Sequence, residues 1–502
     1  MRRCCLLVIG VVIGAFDRLK QSSVLLHSSR SRRELDSDDT KRIISFATDQ
    51  IHQYTAHVHL QPSIVAPDAL DDKRHDDLLP RIFAGTVQSE EGETVGTGKF
   101  QFQTNDLLTR FTIRDGHREG ALHGELDIES LESDLLLYRE KLGEAYHRGA
   151  CAAPLGMGDI MGMASRQRRA SSSSDETLPM AELSDVEVTR LISSGFPREC
   201  SIKIVADQLF HENVGKNETE KTISYMISVI DRANDIFKAT DWLDLKEYAG
   251  KGSAKGFAFT IKKIEIWNDP SNPDKYLNQT QILKPYNKSD TDDEEHPQCS
   301  QPDSRDICRY LKQFSKTGDH GDVCLAHLFT YHDFDAGILG LAHIGKYESV
   351  KGDGMGSMGI CAGKQKDRFK ANQNTALTTT LNWGKRILST EAELVTVHEL
   401  GHNWGSTHDN MFSQQDDAAT CEPGEPEGNY IMHRNAVSGE SPNNDKFSPC
   451  SKRHIVSKLL QCGEKYFTLP NNTTCGNFRV EKGEECDPGL FFGFLSRNNK
   501  RQ

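Results

Sequence analysis

His398, Glu399, His402 and His408 lie in the stretch His398-Glu399-Leu400-Gly401-His402-Asn403-Trp404-Gly405-Ser406-Thr407-His408-Asp409, with the spacing HExxHxxGxxHD. On a helix, residues four apart share a face, so His398 and His402 can bind one ion together while Glu399 reaches beside them toward a water at the same ion. Gly405 can take a positive φ at little cost, which ends the helix and turns His408 back as a third ligand. Three neutral imidazoles leave the fourth tetrahedral position of a zinc ion open, as catalytic sites do and closed structural sites do not. The chemistry within reach is hydrolysis of a peptide bond. Zinc lowers the pKa of its water toward neutrality and polarises the carbonyl, while Glu399 removes the proton and later hands it to the leaving amine.

A helix must carry these ligands. Thr390 followed by Glu393 is a capping-box pattern ahead of the apolar positions Leu394, Val395, Val397 and Leu400, so the helix is expected to begin there. Downstream, Asn429-Tyr430-Ile431-Met432 places a methionine in a short apolar turn, as in the metzincin Met-turn. Upstream, Ser201 to Ala206 reads as a strand, and Glu220 to Lys238 as a helix with Ile223, Met226, Ile230, Ile236 and Phe237 at helical spacing. Phe257 to Trp267 alternates like a strand; Met226 and the aromatic residues here are expected in the core. Short alternating runs such as Lys99 to Gln103 give residues 35–150 a β-rich character.

The zinc motif, the Met-turn with its continuation Ala436-Val437-Ser438-Gly439, the stretch Asn443 to Cys450 and the segment Val323 to Thr330 resemble the ADAM (disintegrin and metalloprotease) family of the metzincin clan. Asp487-Pro488-Gly489 and the segment around Cys324 favour the branch of the TNF-α-converting enzyme over the neighbouring kuzbanian branch. The resemblance covers roughly residues 197–489. It implies an α/β zinc-protease domain with a mixed, mostly parallel sheet, over residues 197–466. It further implies that Met432 floors the zinc ligands, that Asp409 supports the fold behind the site, and that Gly340, Leu341 and Ala342 form the edge strand that receives an extended peptide. His343, beside that strand, reads as a strand-surface residue and not as a further ligand. The implied disulfides are Cys200 with Cys324, Cys361 with Cys462, and Cys421 with Cys450. Cys475-Gly476-Asn477 and Gly483 to Gly489 look like the start of a disintegrin domain, so 467–502 is expected to be a truncated one.

The 502 residues suffice for two to four domains, and the net charge of −13, with no basic stripe, argues against a nucleic-acid partner. Arg2 and Arg3 followed by the apolar run Cys4 to Phe16 read as a signal peptide over 1–16, although a buried first strand or a signal anchor would share that pattern. No later apolar run is long enough to span a bilayer, so a secreted, extracellular product is expected, or one at the cell surface if a longer anchored form exists. Scattered cysteines without CxxC pairs suit disulfides; Cys299 and Cys308 are candidates for a small local loop in the acidic insertion from Asp269 to Pro302. Sequons at Asn217, Asn278, Asn287, Asn471 and Asn472 fit a glycosylating route.

Arg166-Gln167-Arg168-Arg169 is a basic site of the type cut by furin-like convertases, placing a prodomain over 17–169 and a linker over 170–196. Cys151 precedes it by about 15 residues and reads as a cysteine switch, its thiolate able to fill the fourth zinc position in a precursor; a merely buried cysteine is the alternative. The reading that follows is a zinc metalloendopeptidase made as a zymogen and acting on extracellular or membrane-protein ectodomains. A soluble matrix-degrading protease and a non-catalytic adhesion or decoy protein are the alternatives, the last weakened by the intact ligand set. The pattern is silent on calcium and on substrate preference.

Overall fold

Alternation of apolar and polar residues along the N-terminal part of the chain produces nine antiparallel strands, each paired with the next in sequence. They are β1 Leu7–Ile9, β2 Val24–Ser29, β3 Lys41–Ala47, β4 Gln53–Leu60, β5 Arg81–Ser89, β6 Thr94–Phe102, β7 Leu108–Asp115, β8 Ala121–Asp127 and β9 Asp134–Arg139. Because successive side chains point to opposite faces, every second residue collects on one side: Val58, Phe83, Val87, Phe100, Phe111 and Ile113 form a buried cluster there. Phe83 meets Phe102 edge-on at 5.6 Å, and Phe100 stacks on Phe111 at 5.8 Å.

In this computed structural model the described residues are 7–9, 24–29, 41–47, 53–66, 68–70, 79–89, 91–102, 108–115, 121–127, 134–139, 150–151, 183–278, 282, 305–347, 357–363, 370–387, 389–412, 418–439 and 441–469. The chain divides into two units by its contacts: Met1–Ser63, Arg74–Tyr146 and Pro488–Gln502 form one, and Ile64–Lys73 with His147–Asp487 the other. Arg166, Arg168, Arg169, Cys299, Asn287, Asn471, Asn472 and the expected disintegrin start beyond residue 469 lie outside the described residues. No helix among the described residues is long and apolar enough to cross a membrane.

The second unit is built on six strands: β10 Ala150–Cys151, β11 Glu199–Asp207, β12 Ala258–Trp267, β13 Leu325–Thr330, β14 Ile338–Ala342 and β15 Thr375–Thr379. Their order is β10-β14-β15-β13-β11-β12, parallel throughout except for the antiparallel pair β14–β15. β13 and β15 are buried along their whole length, as strands covered on both faces must be. A two-stranded hairpin, β16 Leu381–Asn382 and β17 Lys385–Arg386, follows. The longer helices among the described residues are α1 Asp185–Ile192, α2 Gln208–Asn213, α3 Thr219–Ala239, α4 Arg305–Lys316, α5 Ser389–Asn403 and α6 Pro449–Lys458. One face of the sheet gives Val205, Leu328, Leu341 and Leu377 to a core with Ile307, Leu311 and Phe314 of α4. The intervening residues of β14 and β15 face α5: Gly340 lies against Glu399, and Thr378 Oγ1 is 3.3 Å from Thr396 Oγ1. Period 2 in the strands thus divides one sheet between two helical layers.

The strand expected at 201–206 and the helix expected at 220–238 are present with slightly wider bounds, the strand expected at 257–267 starts one residue later, and Met226 is fully buried. α5 begins at Ser389, so Thr390 lies inside its first turn. The stretch expected as a linker carries α1, which starts from a complete capping box between Ser184 and Glu187 and buries Val188 and Leu191. The alternating polar residues masked that short apolar stripe. Cys200–Cys324, Cys361–Cys462 and Cys421–Cys450 are bonded, the three pairings that the resemblance implies. Cys308 is also disulfide-bonded. Asn217 and Asn278 are exposed.

A buried ion pair crosses β11 and β12, with Lys203 Nζ 2.7 Å from Glu265 Oε2 and Trp267 Nε1 donating to the same oxygen at 2.9 Å. Burial would raise the Glu265 pKa from its ordinary 4.5, but Lys203, Trp267 and Lys275 outweigh it and hold the carboxyl at about 2. A folded value below the unfolded one gives stability that is present above pH 4.5 and lost as pH falls toward about 2. Glu265→Gln should therefore lower the denaturation midpoint at neutral pH, and the gap to wild type should narrow through that acid window. A gap that stays constant with pH would contradict this.

Candidate metal centre and active site

α5 presents His398 and His402 one turn apart with Glu399 between them, and all three are buried. After Asn403 the chain turns: Gly405 sits at φ +109°, its amide donating to His402 O at 2.9 Å and that of Ser406 to Gly401 O at 3.0 Å. A left-handed residue is needed at that point, and glycine supplies it without strain. The turn returns His408 to the other two histidines, with ring centroids 4.5, 4.9 and 5.1 Å apart.

The ring nitrogens have assigned tasks. His398 Nδ1 lies 2.7 Å from Ile431 O, and His402 Nδ1 lies 2.7 Å from Ser406 O. A carbonyl oxygen can only accept, so both Nδ1 atoms carry the hydrogen and both Nε2 lone pairs are left for a ligand. Nε2 of His398, His402 and His408 is buried without a hydrogen-bond partner. One nitrogen from each ring lies within 4.8 Å of the others. Burial lowers the pKa of His398 to about 4 and pushes those of His402 and His408 well below the ordinary value, with the neighbouring histidines adding to it. Three converging neutral imidazoles whose Nε2 atoms lack partners fit a zinc ion and would hold it.

Glu399 is fully buried, and burial raises its pKa well above the ordinary carboxylate range. The nearby Cys151 thiol tempers the shift, yet neither carboxylate oxygen has a partner of normal hydrogen-bond geometry. Cys151 Sγ, a His398 ring nitrogen and a Glu399 oxygen lie within 4.8 Å of one another. Cys151 is a buried free cysteine, its pKa raised by burial and then by the Glu399 charge. β10 positions it: Ala150 and Cys151 run parallel to β14 in register with Ile338 and Gly340, and Cys151 N donates to Arg434 O at 3.0 Å. Ala150–Cys151 therefore lie along the outward edge of β14 from Ile338 to Gly340, which meets the expected substrate edge at Gly340.

Gly340 is required by closeness. A Cβ there would stand 2.4 Å from Glu399 Oε1 and 2.7 Å from its Cγ. Gly340→Ala should displace the carboxylate and lower turnover while bound zinc is unchanged, which metal analysis beside peptide cleavage would test; full activity would show that Glu399 has room to shift. Met432 is buried beneath α5, so close that a Cβ on Gly401 would lie 2.5 Å from its sulfur. Asp409 accepts from Ser448 Oγ and, at 2.8 Å, from Ser451 Oγ, which ties the end of the motif to the start of α6. His343 differs from expectation: it is buried and bonded to Thr375, because β14 is covered on both faces, and it is not among the three converging rings. Asn403 escaped the sequence reading. Its Nδ2 donates to His343 O at 2.8 Å and reaches Thr375 O at 3.3 Å, sewing the end of α5 to β14 and β15. Only its place beside His402 hinted at this.

Residues 219–461 match the reprolysin-like metallopeptidase family M12B. The chain is 30% identical over 303 residues to the disintegrin and metalloproteinase domain-containing protein 17 homolog of Caenorhabditis elegans, covering 58% of this chain and 40% of that protein. It is 31% identical over 304 residues to the human disintegrin and metalloproteinase domain-containing protein 10, covering 58% and 34%. A shorter likeness, 35% over 105 residues, joins it to protein 12 of the mouse. The matches thus span well under half the length of these relatives, and the similar identities to proteins 10 and 17 do not separate those two branches. The zinc-binding pattern, the mixed sheet and these likenesses together place the catalytic region in the ADAM family of metzincins, on the side of proteins 10 and 17.

Proposed function

We propose that this chain is the precursor of a zinc-dependent endopeptidase of the sheddase type, cleaving extended segments of extracellular or membrane-anchored proteins. The carrying observation is the convergence of the partnerless Nε2 atoms of His398, His402 and His408, with an oxygen of the buried Glu399 within 4.8 Å of a His398 ring nitrogen. His398, His402 and His408 would hold the ion, which when bound acidifies a water molecule and polarises the peptide carbonyl. Glu399 does the proton work. Its buried position raises its basicity, so it takes a proton from the attacking water and delivers it to the leaving amine. Ile431 O and Ser406 O keep the two helix imidazoles in the tautomer and orientation that binding needs.

Substrate selection follows from β14. Main-chain pairing along Gly340, Leu341 and Ala342 would hold many sequences in extended form and leave choice to side-chain pockets. Ala150–Cys151 lies along that strand, so substrate and prosegment exclude one another. With zinc present, Cys151 Sγ would take the fourth position, and the buried, protonated thiol would ionise on doing so. Cutting after Arg169 by a furin-like convertase would permit its departure. Cys151→Ala should give an uncut precursor with measurable activity where the wild-type precursor has none; a silent variant would make Cys151 a packing residue.

The test of the whole reading is zinc content together with cleavage of a quenched peptide library by protein processed after Arg169. Stoichiometric zinc with cleavage supports it. Zinc without cleavage points to a retained prosegment or a binding role, and absence of zinc overturns it.

A further inference from the structure

The catalytic sheet is occupied by the prosegment at both of its edges. One is the β14 edge beside the zinc ligands. The other is the outer edge of β12, at the far side of the sheet, where Val65 forms a parallel bridge with Ile261. Ile261 N donates to Ile64 O at 2.7 Å, Ala66 N to Ile261 O at 2.8 Å, and Ile264 N to Ala69 O at 2.9 Å. Outward donors three residues apart are unusual for a strand, whose amides alternate. The register of β12 against β11 slips between Ile261 and Lys263, so Lys262 is an extra residue that turns Ile264 N outward. Ala69 is 1% exposed, small enough to be enclosed.

We propose that the outer edge of β12 is a second docking site for the prosegment, filled by Ile64 to Ala69 through main-chain pairing and acting as a latch independent of the metal. An open strand edge offers unpaired donors and acceptors to any extended chain, and here the occupant is the segment between β4 and β5. Both contacts lie upstream of Arg169, so one cut there leaves them on the same product. Two weak contacts on one chain act at a high effective concentration for each other, and the released prosegment stays bound until both open. The latch keeps Cys151 close to the site; the zinc end alone would let it go.

This rests on residues 17–169 being a prosegment, but its first test needs neither cleavage nor activity. Hydrogen exchange of the intact chain should show the amides of Ile261 and Ile264 protected. Ala69→Glu, which places a charge in an enclosed position, and Ala66→Pro, which removes a donor, should each expose Ile264 or Ile261. Cys151→Ser should leave both protected, since it touches only the other edge. The second measurement is dissociation of the labelled N-terminal product from immobilised catalytic product after convertase cleavage, where Ala69→Glu should speed release by on the order of 10²-fold. Circular dichroism of each variant guards against a misfolded prosegment, and agreement between the two substitutions replaces either one that fails to fold. Rapid exchange at Ile261 and Ile264 in the wild-type chain, or release that follows Cys151→Ser alone, overturns the latch; failure of the convertase to cut would count against the prosegment reading and leave the exchange result standing.

Discussion

Glu399→Gln is expected to reduce kcat/KM of the processed protein by about 10³-fold, within the range that a positioned general base contributes, while zinc content stays at the wild-type level. The separation of the two readouts follows from geometry. The three Nε2 atoms that would hold the ion belong to other side chains, and the imidazoles are oriented by Ile431 O and Ser406 O, neither of which involves Glu399. Glutamine keeps the shape in the buried pocket but cannot accept the water's proton at neutral pH. The loss should fall on kcat, because nothing in the position of Glu399 makes it a binding group for an extended peptide on β14. Zinc lost along with activity would mean that the carboxylate helps to build the metal site; activity retained would move the proton to another group.

The second large effect concerns stability. Trp404 stands two residues beyond His402, fully buried, with its ring 4.6 Å from Phe237, 5.1 Å from Phe467, 5.4 Å from Phe259, 5.8 Å from Trp242 and 6.3 Å from Phe257. It joins the end of α5 to α3, β12 and the last described segment of the chain. Trp404→Ala leaves a cavity where all of these meet and should cost about 3–5 kcal/mol, a large share of what holds a domain together. Trp404→Phe keeps one ring and should lose much less. Urea unfolding followed by circular dichroism measures both. A Trp404→Ala protein that unfolds with the wild type would show that the surrounding rings close over the gap. Since the same turn delivers His408, zinc affinity should fall together with stability.

The grouping of His398, His402 and His408 was legible because a four-residue step on a helix and a glycine at its end are local rules, satisfied by a dozen consecutive residues. The mixed sheet was legible only through resemblance: nothing in the alternation of Glu199 to Asp207 says whether its neighbours run parallel. α1 was lost among polar residues, since a helix of two turns shows too few apolar positions to declare a period. His343 was read as a surface residue because period 2 assigns a face but cannot tell that α4 covers one side of β14 and α5 the other. The role of Asn403 depends on two carbonyls far away in sequence. The main-chain pairing that Ile64 to Ala69 adds to β12 had no signal at all, since short apolar runs beside proline resemble loops.

The catalytic unit also closes on itself. Thr468 pairs antiparallel with Glu199, the two exchanging main-chain bonds at 2.9 and 3.0 Å, and Arg198 N joins them at 3.1 Å. The span from Glu199 to Thr468 therefore begins and ends at one place. That span has the geometry of a cassette, which can be inserted into, or excised from, a longer architecture without rethreading its core.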